Sequence, residues 1–441
     1  MAIANEFFVV VVAPLRSAEV AQRLNSMSGW RTTAEFLALR RNTVLLLGAL
    51  VLAGTGEKLW LGFAPKYLQT LGAGIIVIGL FDALQTFLGA AYAYPGGWLT
   101  DKFGQRRSLL LFTAISLVGY VLVLVWQHWL ALVVGAFFFL AWSALSLPAT
   151  FTVVATSIKK NQHTMGVGVQ SMVRRVPMMV GPLIGGVLID RFGWRGGVQI
   201  ALAICIGLNL LTGAFQSFIA EPKAGRATPG APGQGAVTSG GAQETDAPCQ
   251  PNSFCHVVRS FSPALRELLV SDILIRFCER IPYAWVIIWA MNHGGVSARQ
   301  FGVLVSVEMI TAMVCYVPVA HLADKYGRRP FVLITFVFFT LFPVTLLWAD
   351  NFGWLALAFA VRGLKEFGEP ARKALIIGEA VPELRNRTYG AYYFIRDAIV
   401  TSGSFLGAWL WKISPQANFV GAVICGALGT IWFWSFIYRK R

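Results

Sequence analysis

The sequence predicts an all-α polytopic membrane protein, with twelve transmembrane helices arranged as two pseudo-symmetric six-helix bundles. Three observations carry this. Of 441 residues, 56% are hydrophobic and 13% charged, about half the roughly 25% charged share of a soluble domain, and the mean hydropathy is +0.62. The apolar residues form long continuous runs rather than alternating ten-residue strands, and at about 20 residues per span the length holds about a dozen. The two halves also align at an offset of 222 residues: Glu57-Lys58 falls on Glu279-Arg280, Pro148-Ala149 on Pro370-Ala371, Gly168 on Gly390, Arg174 on Arg396 and Gly181 on Gly403. A soluble enzyme, a disordered chain, a coiled coil and a β-barrel all conflict with these patterns.

Residues 1–42 carry a short apolar patch, Phe7 to Leu15, and then a polar amphipathic stretch without the basic leader of a signal peptide; they read as a cytoplasmic tail, with a helix lying on the membrane surface as the alternative. Six spans begin near Thr43, Ala73, Ser108, His128, Thr164 and Gly196 and form an N-terminal bundle over 43–220. Residues 221–263, with the run AGRATPGAPGQGAVTSGGAQ, cannot bury a core and read as a flexible cytoplasmic linker. Six further spans begin near Leu268, Ala298, Phe331, Gly353, Arg387 and Gln416, giving a C-terminal bundle over 264–438 and a short cytoplasmic end, 439–441.

Loop charges orient the chain. The side holding both termini carries 22 Lys and Arg, and the opposite loops carry five: Lys66, Arg191, Arg195, Arg299 and Lys412. Positive loops stay in the cytoplasm, so the termini are expected inside a bacterial inner membrane. Most of the net +16 is then a topology signal, and no nucleic-acid partner is expected. Cys205, Cys278, Cys315 and Cys425 lie in apolar runs as small buried residues. No P-loop, Rossmann fingerprint, nucleophile elbow or metal-ligand cluster is present. The sequence gives no reason to expect an enzyme, a cofactor or a metal site.

One loop motif occurs twice. Gly97-Trp98-Leu99-Thr100-Asp101-Lys102-Phe103-Gly104-Gln105-Arg106-Arg107 lies between the second and third spans, and Ala320-His321-Leu322-Ala323-Asp324-Lys325-Tyr326-Gly327-Arg328-Arg329 between the eighth and ninth. Both resemble the signature loop of the major facilitator superfamily, Gly-x-Leu-x-Asp-Arg/Lys-x-Gly-Arg/Lys-Arg/Lys, departing from it at Gln105 and Ala320. Pro182-Leu183-Ile184-Gly185-Gly186, with Asp190-Arg191-Phe192-Gly193-Trp194-Arg195 after it, resembles the end of that superfamily's fifth span. The resemblance covers about residues 43–438 and implies alternating access between the halves. It also implies a gating role for the loop, carried here onto Gly97, Asp101, Lys102, Gly104, Arg106, Asp324, Lys325, Gly327 and Arg328. Within the superfamily, GEKLWLGFAPKYLQTLGA, YPGGWLTDKFGQRR and RGLKEFGEPARKAL resemble a bacterial branch that includes the magnetosome-membrane protein MamH. That resemblance implies transport of iron or an iron complex across the magnetosome membrane.

Ten cations and eight acids remain within the spans: Lys58, Arg174, Arg175, Arg276, Arg280, Arg362, Lys365, Arg372, Lys373 and Arg396 against Glu57, Asp82, Asp272, Glu279, Glu308, Glu366, Glu369 and Asp397. An ionised group at the bilayer centre costs roughly 2.5–3.5 kcal/mol on insertion scales, so these groups must face a wet cavity or one another. Spans three, six, nine and twelve carry none and read as the lipid-facing supports. Arg362, Glu366 and Glu369 follow 4- and 3-residue steps and would share one helix face, with Pro370 expected to break or kink that helix. Glu57, Glu279, Glu366, Glu369 and Asp397 are the candidates for carrying a proton. Lys58, Arg174, Arg175, Arg280, Arg362 and Arg396 are the candidates for binding a charged solute, because arginine holds carboxylate or phosphate in a bidentate fork. Nearby aromatics such as Tyr283, Tyr392 and Tyr393 read mainly as helix packing, with stacking on a cationic drug as the alternative.

The expected function is therefore proton-coupled secondary transport of a small charged solute, an anion or an iron complex. The alternatives are multidrug or metabolite efflux and a non-transporting sensor or scaffold.

Overall fold

The computed structural model describes residues 41–157, 173–219, 254–379 and 385–438. These residues form helices joined by short turns, with no strand among them. In the N-terminal half they are α1 (Arg41–Lys58), a 3-10 turn (Leu61–Phe63), α2 (Ala64–Thr70), α3 (Ile75–Ala91), α4 (Ala93–Phe103), α5 (Gln105–Val125), α6 (Trp129–Ser157) and α7 (Arg175–Ser217). The C-terminal half holds α8 (Phe254–Arg259), α9 (Pro263–Arg280), α10 (Trp285–Asn292), α11 (Ala298–Tyr326), α12 (Arg328–Leu347) and α13 (Phe352–Leu364). It continues with α14 (Glu369–Gly378), α15 (Arg385–Ile413), α16 (Pro415–Phe433) and a π turn, Trp434–Tyr438.

These helices trace twelve passes. Val44–Thr70, Gln105–Val125, Arg175–Ser217, Ala298–Cys315, Arg328–Leu347 and Pro415–Tyr438 are each long and apolar enough to cross a membrane. α7 contains two passes joined at Gly193, whose φ of 73° and ψ of 174° turn the chain back. Span starts fall within about five residues of expectation, except the fifth. That start, near Thr164, lies outside the described residues, as do residues 1–40 of the N-terminal tail, most of the linker and the last three residues. α8 falls inside the stretch read as linker and packs on α15.

The signature loops become two tight reversals. Gly104 (φ 81°, ψ 165°) and Gly327 (φ 91°, ψ 155°) each end one helix and begin the next. Only glycine adopts that region readily, and another residue there costs about 1–3 kcal/mol. Gly104→Ala and Gly327→Ala should each lower the detergent unfolding midpoint by that order, whereas Gly62→Ala, which has open space and no positive φ, should not. Equal midpoints for all three would refute this account of the loop. Lys102 lies 4.8 Å over the Trp98 ring, and Arg328 Nη1 donates to the Ala374 carbonyl at 3.3 Å within its own half.

The repeat is visible in the packing. α7 lies along α1 and α15 along α9, each through glycines that admit a neighbouring backbone. A Cβ on Gly185 would land on the Leu59 carbonyl oxygen, and one on Gly407 on the Ile281 carbonyl oxygen. Both members of the second contact follow the first by 222 residues. Small residues allow such close approach of membrane helices.

The two halves meet at the end opposite Arg41 and Tyr438, here the far end, and at mid-depth. α3 packs on α15 and α7 on α11. Asp190 accepts from Ser297 Oγ (2.6 Å), Ala298 N (2.9 Å) and Arg299 N (3.1 Å), so one half caps a helix of the other. Lys66 Nζ donates to Asn292 Oδ1 at 2.6 Å, and Phe63 meets Phe301 edge-on with ring centroids 5.8 Å apart.

Candidate functional site

The first span of each half breaks at mid-depth, directly after its charged pair. α1 stops at Lys58 and the span resumes as the 3-10 turn and α2; α9 stops at Arg280 and resumes as α10. Glu57 lies at the midpoint of Val44–Thr70. In span seven Pro282 offers no N–H to the carbonyl four residues back, and the turn closes through Trp285 N to the Pro282 carbonyl at 2.8 Å. Irregular backbone at membrane depth is tolerated where it is buried in protein or lines a wet cavity.

Span ten breaks as well, and one sequence expectation is corrected here. α13 ends at Leu364 and α14 begins at Glu369, so Arg362, Glu366 and Glu369 do not share one helical face. Pro370 cannot continue a helix and instead occupies the first turn of the next. The freed Gly368 N–H is captured by Thr335 Oγ1 at 2.6 Å. The three side chains part accordingly. Arg362 Nε lies 3.3 Å from Glu308, Glu366 3.1 Å from Arg175 Nη2, and Glu369 2.6 Å from Arg372 Nη2.

The candidate proton carriers are all held by cations. Glu57 is nearly enclosed, with Lys58 Nζ at 2.7 Å. Glu279 receives Lys365 Nζ and Arg276 Nη1, each at 2.6 Å, and Asp397 receives Arg396 Nη2 at 2.7 Å. Glu369 is also 3.4 Å from Arg276 and 3.5 Å from Lys373.

Of the candidate solute ligands, Lys58, Arg175, Arg280, Arg362 and Arg396 are ion-paired. Arg174 makes no ion pair within 4 Å among the described residues. Tyr283 stands between two guanidinium groups, Arg280 at 4.7 Å and Arg362 at 5.7 Å from its ring, and is 43% exposed. Of the other aromatics, Trp60 packs on Phe139 and Trp285 stacks on Trp411, as ordinary packing does. Of the candidate gating residues, Gly97, Asp101, Asp324 and Lys325 lie outside the set whose surroundings are described.

For several residues of this network the sequence shows only that they are intramembrane charges. Asp272 is fully buried and gathers Arg372, Arg396 (3.4 Å), Arg276 (4.0 Å) and Tyr392 Oη (3.2 Å). The signal for it was present: Asp272, Arg276 and Glu279 repeat at helical spacing. Asp82 had no such signal, being a lone acid in an apolar run. Most of the charge is compensated inside the C-terminal half, whereas Arg175–Glu366 and Arg280–Asp82 (3.5 Å) join the halves. Chemically, this is a mid-membrane set of carboxylates whose cation partners sit on several helices, so that moving one helix changes the pairing.

The comparisons agree with this architecture. The family model described as Major Facilitator Superfamily matches residues 45–289 and 268–441. Curated relatives named multidrug resistance protein MdtG, from Salmonella arizonae and Salmonella typhimurium, are each 23% identical over 427 residues, covering 91% of this chain and 96% of the relative. Among solved structures, the nucleoside transporter NupG superposes with a TM-score of 0.70 at 11% identity, covering 91% of this chain and 100% of that one. A POT family transporter in complex with a thioalcohol-conjugated peptide gives 0.69 at 13%, covering 89% and 94%. With twelve helical passes, a 222-residue repeat, halves in contact across mid-depth and a family match along nearly all its length, the chain belongs to the Major Facilitator Superfamily of membrane transporters.

Proposed function

We propose that the protein moves a small anionic solute across a bacterial inner membrane by alternating access, coupled to protons, with both termini in the cytoplasm. The observation that carries this reading is the matched break of spans one and seven immediately after Glu57-Lys58 and Glu279-Arg280. A break at mid-depth frees backbone groups beside the charges, and transporters use such discontinuous helices where substrate and ions bind. Proton and cation compete for the same oxygens of Glu57, Glu279, Glu366, Glu369 and Asp397. A carboxylate that loses its cation during a helix movement gains by taking up a proton, and the cation it releases can hold an anion. Lys58, Arg174 and the Arg280–Tyr283–Arg362 face are the groups this reading assigns to the solute, because they line the breaks. A bare metal cation fits less well, since the carboxylates that would bind it are already held by Lys and Arg; an anionic iron complex is compatible, which keeps the magnetosome-type cargo among the solutes to test.

The naming of the MdtG relatives supports a second reading, export of a drug-like compound, in which the half-exposed Tyr283 ring would stack on the cargo.

The test is uptake into proteoliposomes under an imposed inward proton gradient, using ferrous iron, ferric citrate, small organic anions and a cationic dye. The expected result is gradient-driven accumulation of an organic anion or ferric citrate, reduced by about tenfold or more, about 1.4 kcal/mol or more, in Glu57→Gln and in Glu279→Gln. Dye transport with no anion transport would favour the second reading. Equal accumulation by wild type and both variants would remove these acids from the coupling.

A further inference from the structure

The two interfaces between the halves are related by the repeat, yet among the described residues only α3–α15 holds an acid paired with a cation of the opposite half, whereas Asp190 at α7–α11 is met by Ser297 Oγ and by the Ala298 and Arg299 amides. At the α7–α11 interface, Gly186 meets the Ala298 carbonyl and Gly302 meets the Pro182 carbonyl, with Ser306 Oγ donating to the Met179 carbonyl at 2.8 Å. At the α3–α15 interface, Gly79 meets Ala408 and Ser404 at the corresponding positions, but here Asp82 lies beside them. Its counterpart, at the 223-residue offset that places Gly79 on Gly302, is Val305, and the counterpart of Ser404 at 222 is Pro182. The ion pair is thus an addition to the symmetric plan rather than part of it.

Asp82 is 2% exposed. Ser404 Oγ donates to its Oδ2 at 2.6 Å, Arg280 Nε lies 3.5 Å from the same oxygen, and Arg280 Nη2 donates to the Asp82 main-chain carbonyl at 3.3 Å. Oδ1 is buried without a hydrogen-bond partner. Every one of these partners belongs to the opposite half. Asp82 is the sole ionisable residue of α3, and α6 behind it has none. Toward the far end α2 contributes Lys66, engaged with Gln69 and Asn292, and the buried Tyr67. On α15, Arg396 and Asp397 lie two turns away and pair with each other. The near-end charges of α4, Asp101 and Lys102, are more than four turns along the chain from Asp82.

We propose that Asp82 is a proton-binding residue of the transport cycle, exchanging Arg280 for a proton when the far ends of the halves separate. This rests on the proton-coupled reading and adds to it a carboxylate outside the broken spans. Separation of α3 from α15 takes Ser404 and Arg280 away together and leaves the carboxylate on a helix that supplies no cation. A proton from far-side water then binds an Asp82 oxygen, and water admitted by the opening reaches the bare Oδ1 first. Arg280 keeps its charge and its place over Tyr283, where an anionic solute can take the position the carboxylate held. When the far ends close again, Arg280 displaces the proton from Asp82, with the solute enclosed and the near side as the exit.

The experiment measures the far-end separation directly and needs no known solute. Spin labels at Ile76 and Lys412, both exposed at the far ends of α3 and α15, are placed in a variant whose six native cysteines are replaced, and distances are read in lipid nanodiscs at alkaline and acidic pH. Acidification should move wild type from the short to the long distance. Asp82→Asn should raise the long-distance population at alkaline pH by about tenfold or more and lose the pH response, while Asp82→Glu should keep it. Ser404→Ala should act in the same direction as Asp82→Asn, more weakly, and carries the test if that variant fails to fold. A wild type that ignores pH, or an Asp82→Asn protein with the wild-type response, would overturn the assignment. Proton-driven uptake that is lost in Glu57→Gln but intact in Asp82→Asn would overturn it too, while leaving proton coupling in place. A pH response that depends on Asp82, in a protein that accumulates nothing under a gradient, would instead sink the coupling reading.

Discussion

Asp272→Asn is expected to destabilise the C-terminal half by about 3–5 kcal/mol, the cost of breaking a buried ion pair by removing one partner. Asp272 has no solvent exposure and is met by Arg372, which is itself 1% exposed. Arg396 approaches the second oxygen at 3.4 Å and Tyr392 Oη donates to it at 3.2 Å. Asparagine keeps the size but replaces one acceptor oxygen with a donor facing guanidinium, and it removes the charge that several arginines share. Arg372 retains Glu369 at 2.6 Å, so it would not be stripped completely; Arg396 would keep only Asp397. Lys373→Gln is the control. Lys373 is 48% exposed on a pair of 3.5 Å, and such a pair is worth about 0–1 kcal/mol. The expected reading is a large fall in the detergent unfolding midpoint for Asp272→Asn and almost none for Lys373→Gln, with partial recovery in Asp272→Asn/Arg396→Gln. Overlapping unfolding curves for Asp272→Asn and wild type would mean that this network does not hold the half together.

Much of this was legible in the sequence, for identifiable reasons. Apolar runs set the passes because a membrane tolerates little else, and the repeat, readable as matched residues at 222, reappears as matched backbone contacts. The position of Glu57-Lys58 at mid-span was also readable. The break after it was not: nothing in Leu59-Trp60 signals a helix end, and the turn packs its Leu59 carbonyl against Gly185 of another span, a contact no local pattern shows. Span ten misled for the related reason that a 4- and 3-residue spacing describes a face only where the helix is continuous. The partner of each charge was out of reach as well. Ten cations and eight acids admit many pairings, and the choice of Asp82 for Arg280 depends on how α3 docks against the other half, which no local pattern encodes.

Gly185→Ala and Gly407→Ala should be nearly as damaging, and for a reason that links packing to transport. The added methyl would fall on a main-chain carbonyl, of Leu59 in one case and Ile281 in the other. A flexible side chain could turn away from it, whereas these carbonyls belong to the broken turns that follow Glu57-Lys58 and Glu279-Arg280. Overpacking commonly costs about 1–3 kcal/mol and sometimes more. Here the helix itself must shift, so the upper end of that range is expected for both, against no measurable change for Gly207→Ala, which has open space. The displacement also moves the charged pair one residue before each contact. Proton-driven uptake should therefore fall by more than the loss of folded protein explains, and comparably for the two sites because the repeat makes them equivalent. Transport lost at Gly185 but retained at Gly407, with equal stability, would separate the roles of the two halves and confine the solute path to the N-terminal break. Stability lost at both, with full activity per folded molecule, would make the breaks a packing consequence and deprive the proposed site of its central support.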